Sequence, residues 1–193
     1  MGFKSFISYP LDVLLRAVRR RGYGVQSPSD YAFIRGVVVG SGDLSFRTYM
    51  SGLGVCSGVV ELRMSELLYR LVSYYGVVRV VVESCLLWAV RSVSYMDCRR
   101  VVVSVGQLRE LFLSDGFELL VCELGEESYG VLRRLLLEGR DGLLVFLSGL
   151  EYRSVRCLWR RLFEVLDYGV SYDCGVCVII ILDRSRYKVS YRL

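Results

Sequence analysis

The chain has 193 residues, 53% of them hydrophobic, and a formal net charge of +5 with no histidine. This length fits one domain with a single substantial core, and no apolar run is long enough to span a bilayer. An odd number of cysteines, seven, spread through predicted helices and strands excludes the disulfide framework of a small secreted protein and predicts a cytoplasmic one.

The first 60 residues are predicted to form a helical extension with a glycine-rich loop, ahead of one compact domain at 61–193. Tyr9–Arg20 carries apolar residues on one face and a basic end, which predicts an amphipathic helix. Ser27-Pro28 predicts the start of a second helix, Ser29–Val38. The glycines and polar residues of Val39–Gly58 predict a long loop.

Helices and strands alternate in the rest of the chain. The predicted elements are helix Arg63–Tyr75, strand Val77–Val82, helix Leu86–Tyr95, strand Arg100–Val103, helix Gln107–Leu113, strand Phe117–Cys122, helix Ser128–Glu138, strand Gly142–Leu147, helix Arg153–Val165, and strands Tyr168–Tyr172 and Val176–Leu182. This alternation predicts an α/β fold with a doubly wound, mostly parallel sheet. The last two strands have no helix between them, so they are predicted to form an antiparallel hairpin at one edge.

Residues 66–90, ELLYRLVSYYGVVRVVVESCLLWAV, have the layout of a cofactor site without its glycines. An amphipathic helix passes through Gly76 into an apolar strand that ends on Glu83. In nucleotide-binding α/β domains the next turn needs glycine, because backbone N–H groups must approach the ligand with no Cβ in the way. This chain has Ser84, Cys85 and Leu86 there.

Five segments, in this order, resemble class I S-adenosylmethionine-dependent methyltransferases, in particular a small bacterial subgroup with a helical N-terminal extension. They are RRGYGVQSPSDYAFI (20–34), SGLGVCS (51–57), ELLYRLVSYYGVVRVVVE (66–83), LSGLEYRS (147–154) and YDCGVCVIII (172–181). The resemblance covers nearly the whole chain. It implies a Rossmann-like methyltransferase fold, with S-adenosylmethionine as the cofactor and methyl transfer as the reaction.

The departures from the family pattern fall on its functional positions. By this resemblance, Cys85 and Ala89 stand at loop glycines, and Ser104 stands at the acid that would hold the ribose hydroxyls. Other replacements are Tyr23 and Gln26 for two histidines, Ser148 and Gly149 for an aspartate pair, and Glu151 and Tyr152 for a His-Trp pair. The segment between strands two and three is too short for the helix–strand–helix of the family, so the family's third strand is predicted to be missing.

Two acids remain at strand ends, Glu83 and Glu123. Doubly wound sheets bind ligands at that edge, so the candidate cofactor-binding residues are Glu83, Ser84, Cys85, Ser104 and Glu123. Glu123 is also the candidate base that would take a proton from the acceptor. The alternative for both acids is a solvated carboxylate at the end of a strand.

Cys174 and Cys177 have a spacing that occurs in redox and zinc sites. Residues three apart on one strand point to opposite faces, and zinc would need two further ligands in a chain without histidine. The pattern therefore predicts neither a metal site nor a redox pair, unless Gly175 makes a bulge that brings the two side chains together.

The degraded loop predicts a pseudo-enzyme, or a weak methyltransferase with an unknown acceptor. The alternative is a non-catalytic module that binds a protein or a membrane surface, with homo-oligomers as one form of it. An enzyme would keep a pocket lined by Glu83 and Glu123, whereas a module would fill it with Leu86, Leu87 and Trp88. Arginine far exceeds lysine and asparagine is absent, as in a G- and T-skewed coding strand, so the positive charge predicts no nucleic-acid partner.

Overall fold

The computed structural model describes residues 25, 27–96, 98–104, 107, 116–138 and 141–193. Helix Tyr9–Arg20, all of helix Gln107–Leu113 except its first residue, and the positions Tyr23 and Gln26 lie outside them. The described helices are α1 Pro28–Phe33, which continues into a π-helical turn Ile34–Val38, α2 Leu44–Leu53, α3 Val59–Tyr75, α4 Leu87–Tyr95, α5 Glu126–Glu138 and α6 Arg153–Val165. The described strands are β1 Arg79–Glu83, β2 Arg99–Val103, β3 Leu119–Glu123, β4 Leu144–Ser148, β5 Val170–Asp173, β6 Val178–Ile181 and β7 Val189–Arg192.

The seven strands form one sheet in the order β2-β1-β3-β4-β6-β5-β7. Strand β6 runs antiparallel to both of its neighbours, β4 and β5, and the other strand pairs are parallel. The predicted α/β class and mostly parallel sheet are therefore confirmed. The antiparallel hairpin was predicted to form one edge of the sheet, and that is wrong. A seventh strand that was not predicted, β7, pairs with β5 and forms that edge.

Both faces of the sheet are covered by helices. Side chains that alternate along the strands divide between two apolar clusters, as the two-residue period of a strand requires. Helices α1 to α4 contribute to the first cluster, whereas α5 and α6 contribute to the second. This two-faced burial explains why the strands read as continuous apolar runs.

The segment Val39–Gly58, predicted as a loop, contains helix α2, so that prediction is wrong. Asp43 caps the helix because its Oδ1 accepts the N–H groups of Ser45 and Phe46 at 2.8 and 3.2 Å. Phe46 and Met50 are fully buried on one side of the helix. The glycines that suggested a loop lie before the cap, at the C-terminal end of the helix, and at Gly58, which precedes the next helix.

Helix α3 begins at Val59, so the division predicted after residue 60 falls inside a helix. Arg70 on this helix donates from Nε to the Val37 carbonyl oxygen at 2.6 Å, which ties α3 to the π-helical turn. No helix in the described part of the chain has the length and apolar character that a membrane crossing requires.

Candidate functional site

The chain leaves β1 towards β2 on one side and later returns to β3 on the other side of β1. In doubly wound sheets, ligands bind outside the carboxyl ends of the strands at such a switch point. Glu83 ends β1 and Glu123 ends β3, so both acids lie where a ligand is expected.

The Glu83 carboxylate is turned into the protein at this point. Its side chain is almost fully buried, and Oε2 accepts the backbone N–H of Glu123 at 2.7 Å. Burial raises the pKa of Glu83, and the hydrogen bonds from the Glu123 amide and the Cys85 thiol only partly oppose that rise. Glu83 therefore joins the ends of β1 and β3 and does not present a free carboxylate to a crevice.

The turn after β1 uses its own backbone amides. Leu86 donates its N–H to the Glu83 carbonyl oxygen and Leu87 to that of Cys85, both at 3.1 Å. Burial, followed by the charges of Glu83 and Glu123, raises the pKa of the Cys85 thiol to about 11. The thiol is thus protonated near neutral pH and is a poor nucleophile.

Three apolar side chains follow in the same turn and helix. Leu86 and Trp88 are buried, with the Trp88 ring 6.0 Å from that of Phe146, whereas Leu87 is 61% exposed. Two of the three side chains expected to fill a disused pocket are therefore part of the core.

The remaining candidate, Ser104, lies beside this turn. The Ser84 N–H donates to the Val103 carbonyl oxygen at 2.7 Å, which brings the end of β2 against the turn. The Ser104 N–H is not available to a ligand, because it donates to Oε1 of Gln107 at 3.1 Å. The structure thus brings the five candidate residues to one edge of the sheet, where Glu83 is bonded to Glu123 and Cys85, and the N–H groups of Ser84 and Ser104 are bonded to neighbouring residues.

Glu123 has an exposed side chain that lies against the end of β4. Its strand position pairs with Ser148, and Gly149 follows with φ of +86°. A Cβ on Gly149 would lie 3.2 Å from Cγ of Glu123 and 3.3 Å from its Oε1. Ser148 and Gly149 are therefore small residues that leave room for the Glu123 side chain.

A cavity of about 440 Å³ lies between α3, the end of the π-helical turn and the β5–β6 hairpin. Cys174 and Cys177 both line it. The prediction that they point to opposite faces of one strand is wrong, because they flank the turn between β5 and β6, where the Cys174 N–H donates to the Cys177 carbonyl oxygen at 2.9 Å. Gly175, with φ of +92°, lies in the tight turn between them. A glycine between two cysteines was the sequence feature that could have indicated this turn.

A buried ionic network around Asp30 was not predicted. Asp30 on α1 accepts hydrogen bonds from the hydroxyls of Tyr172 and Tyr191 at 2.6 and 2.9 Å, and from both terminal nitrogens of Arg186. No local pattern could have found it, because its partners lie more than 140 positions along the chain.

Within the described ranges, no group of three or more cysteine, aspartate and glutamate side chains is arranged to hold a metal ion. Comparison with known proteins adds no family to these observations. No protein-family model matches the chain, and no curated protein is similar to it at a significant level.

Proposed function

We propose that the chain is a methyltransferase-like pseudo-enzyme, in which Glu83, the acid at the end of β1, has become part of the structural core. The parallel sheet with a switch point and a β5–β6 hairpin inserted beside β4 supports the methyltransferase-like frame. The observation that carries the proposal is the buried Glu83 carboxylate, which accepts the Glu123 N–H at the switch point.

The residues at this edge do not fit S-adenosylmethionine. A nucleoside cofactor needs free backbone N–H groups and carboxylates here. The N–H groups of Leu86 and Leu87 donate to carbonyl oxygens of the turn instead, and that of Ser84 donates to the end of β2. Ser104 offers a short hydroxyl where the resemblance implies an acid for the ribose. Cys85 also adds a side chain where the family has glycine, and its thiol donates to Glu83.

One group that could serve chemistry remains, the exposed carboxylate of Glu123. Methyl transfer depends mainly on positioning the acceptor and sometimes on a base that takes its proton. Glu123 could accept that proton only from an acceptor held beside β3 and β4. Detectable cofactor binding would therefore favour the alternative, a weak methyltransferase that acts on an unknown acceptor.

Calorimetric titration of the full chain with S-adenosylmethionine and S-adenosylhomocysteine tests the proposal. We expect no saturable heat and no thermal shift at about 1 mM ligand. A dissociation constant below about 100 μM would stabilise the fold by roughly 1.4 kcal/mol or more at that concentration. Such a shift would contradict the pseudo-enzyme.

The variants Cys85→Gly and Cys85→Ala separate steric blockage from loss of the other contacts. If the Cβ is the main obstacle, the glycine variant binds the cofactor and the alanine variant does not. We expect neither to bind, because Glu83 and the turn amides remain engaged in both. Binding by the glycine variant alone would show that the engaged Glu83 is not what closes the site.

A second candidate function, an interaction module, is favoured by strand β2. In the described part of the chain β2 pairs only with β1, and its Val101 and Val102 are 50% and 44% exposed. Unpaired edges with apolar side chains favour pairing with another strand. Antiparallel pairing of two copies centred on Val101 would set Arg99 opposite Val103 and Arg100 opposite Val102, so no two arginines would face each other.

Sedimentation velocity between about 1 and 100 μM tests this pairing. We expect the chain to dimerise and Val101→Lys to remain monomeric, because a lysine on an edge strand opposes pairing. Val78→Lys is the matched control. Val78 is also a valine, 53% exposed, but it precedes β1 and is not part of the β2 edge. A wild-type monomer over the whole range, or equal dissociation of both variants, would reject the β2 edge as the interface.

A further inference from the structure

The β5–β6 hairpin places two thiols opposite each other. Cys174 and Cys177 flank its turn, beyond the paired residues Asp173 and Val178. The register continues so that Cys174 lies opposite Cys177, and the Cys174 N–H donates to the Cys177 carbonyl oxygen at 2.9 Å. Residues directly opposite each other in an antiparallel pair have Cα atoms about 4.5–5.5 Å apart, within the roughly 4.4–6.8 Å that a disulfide spans.

Both side chains also face the same way. Cys177 belongs to the apolar cluster beneath α1 to α4, and Cys174 packs against that cluster. The Cys174 thiol is held at this position, since it donates to the Tyr172 carbonyl oxygen at 3.7 Å. Cys177 is fully buried, whereas Cys174 is partly exposed, and both line the 440 Å³ cavity. Cys174 is therefore the more accessible of the two thiols to a reagent.

The cavity beside these sulfurs carries excess positive charge. Arg63 and Arg70 line it, and Arg70 interacts electrostatically with Cys174. Its Nε bond to the Val37 carbonyl oxygen fixes the guanidinium in place. The one acid lining the cavity, Glu66, is held by Arg47 through two hydrogen bonds. Cations that line a cavity attract an anionic reagent.

From these contacts we infer that Cys174 and Cys177 form a redox-active dithiol that reacts with an anionic low-molecular-weight disulfide, glutathione disulfide being the test case. The Cys174 thiolate attacks one sulfur of the reagent, forming a mixed disulfide and releasing one glutathione thiolate. The Cys177 thiolate then attacks Cys174 Sγ, which closes the internal disulfide and releases the second glutathione. The two protons from the protein thiols pass to the two released thiolates. The protein loses two electrons, and the reagent gains them.

The second step is expected to be the slower one near neutral pH. In the reduced protein the hydrogen bond to Cys174 and burial raise the pKa of Cys177 well above its usual value. The burial remains in the mixed disulfide, so little Cys177 thiolate is present there. Raising the pH from 7 to 9 should therefore speed closure, because the thiolate is the attacking species.

Peptide mapping of the full chain after equilibration in glutathione redox buffers tests the inference. Trypsin cuts after Arg161 and Arg184, and the peptide 162–184 holds Cys174 and Cys177 and no other cysteine. After alkylation of free thiols, we expect this peptide to appear unalkylated and two hydrogens lighter. Dithiothreitol should reverse the change. Cys157→Ser, at an exposed cysteine elsewhere, should leave the disulfide in this peptide intact, and Cys174→Ser should abolish that disulfide.

A second measurement tests the role of the cavity charges. Arg63→Gln should slow oxidation by glutathione disulfide at least about threefold and leave oxidation by neutral hydroxyethyl disulfide nearly unchanged. Two outcomes would overturn the inference: alkylation of both cysteines under oxidising buffer, or pairing of either with another cysteine. Equal slowing with both reagents would overturn the assignment of an anionic reagent.

Discussion

Replacing Asp30 with alanine is expected to lower the free energy of unfolding by about 3 kcal/mol. Asp30 is 1% exposed, yet it receives hydrogen bonds from Arg186, Tyr172 and Tyr191. Removing one partner of a buried ion pair costs about 3–5 kcal/mol, because the other charge stays without compensation. The lower end applies here, since the Arg186 side chain keeps 25% exposure and can be partly hydrated.

Urea denaturation monitored by circular dichroism measures this effect. Glu138→Ala is the control: Glu138 is paired to Arg134 at 2.8 Å, but both side chains are more than 60% exposed. We expect that control to change stability by less than about 0.5 kcal/mol. The double variant Asp30→Ala with Arg186→Gln should lose less than the sum of the two single variants, because the two residues share one network. Additive losses, or an Asp30→Ala loss below about 1 kcal/mol, would contradict this account.

The same network predicts a dependence on acid. Burial by itself would raise the pKa of Asp30, but the hydrogen bonds from Arg186, Tyr172 and Tyr191 outweigh it and lower the pKa below its usual 3.8. A carboxylate with a lowered pKa stabilises the fold above its unfolded pKa, and that stabilisation is lost as the pH falls through the folded value. The difference between wild type and Asp30→Ala should therefore be full at pH 6 and shrink below 3.8.

Much of the fold was predictable because strands and helices leave local periodic signals. Continuous apolar runs predicted β1, β3 and β4, and the three-to-four spacing predicted α3 and α6. The missed strand β7 has only four residues, and its contacts are long-range: Tyr191 donates to Asp30, and Ser190 lies 2.9 Å from the Ser171 hydroxyl. Such a strand is defined by tertiary contacts and not by its own pattern.

The candidate site was predictable in position but not in what its groups do. Topology alone places Glu83 and Glu123 at the switch point. Whether a carboxylate there faces solvent or a neighbouring amide depends on side-chain geometry, which strand patterns do not specify. The prediction for the cysteine pair was wrong for a related reason. It assumed that Cys174 and Cys177 lie on one strand, whereas the turn at Gly175 places one after β5 and the other before β6.

Glu83 yields the second large prediction, because its carboxylate is the acceptor for a buried amide. Glu83→Ala should lower the free energy of unfolding by about 1–3 kcal/mol, since the Glu123 N–H then loses its partner. Glu83→Gln keeps an oxygen that can accept the same bond and removes a buried charge. We therefore expect the glutamine variant to equal or exceed wild type in stability at pH 7.

The comparison with pH separates a structural Glu83 from a ligand-binding one. Its folded pKa is raised above the usual 4.5 by burial, so the acid favours the folded state below 4.5 and that advantage is lost as the pH rises through the folded value. Wild type should thus lose stability relative to Glu83→Gln between pH 4.5 and 7, as measured by urea denaturation at both values. Glu123→Gln, the same change at the exposed neighbour, should alter stability at pH 7 by less than about 0.5 kcal/mol. A glutamine variant that is less stable than wild type at pH 7 and equal to it at pH 4.5 would mean that the ionised Glu83 stabilises the fold. The buried carboxylate would then be poised to bind a positively charged group, and the pseudo-enzyme proposal would lose its main support.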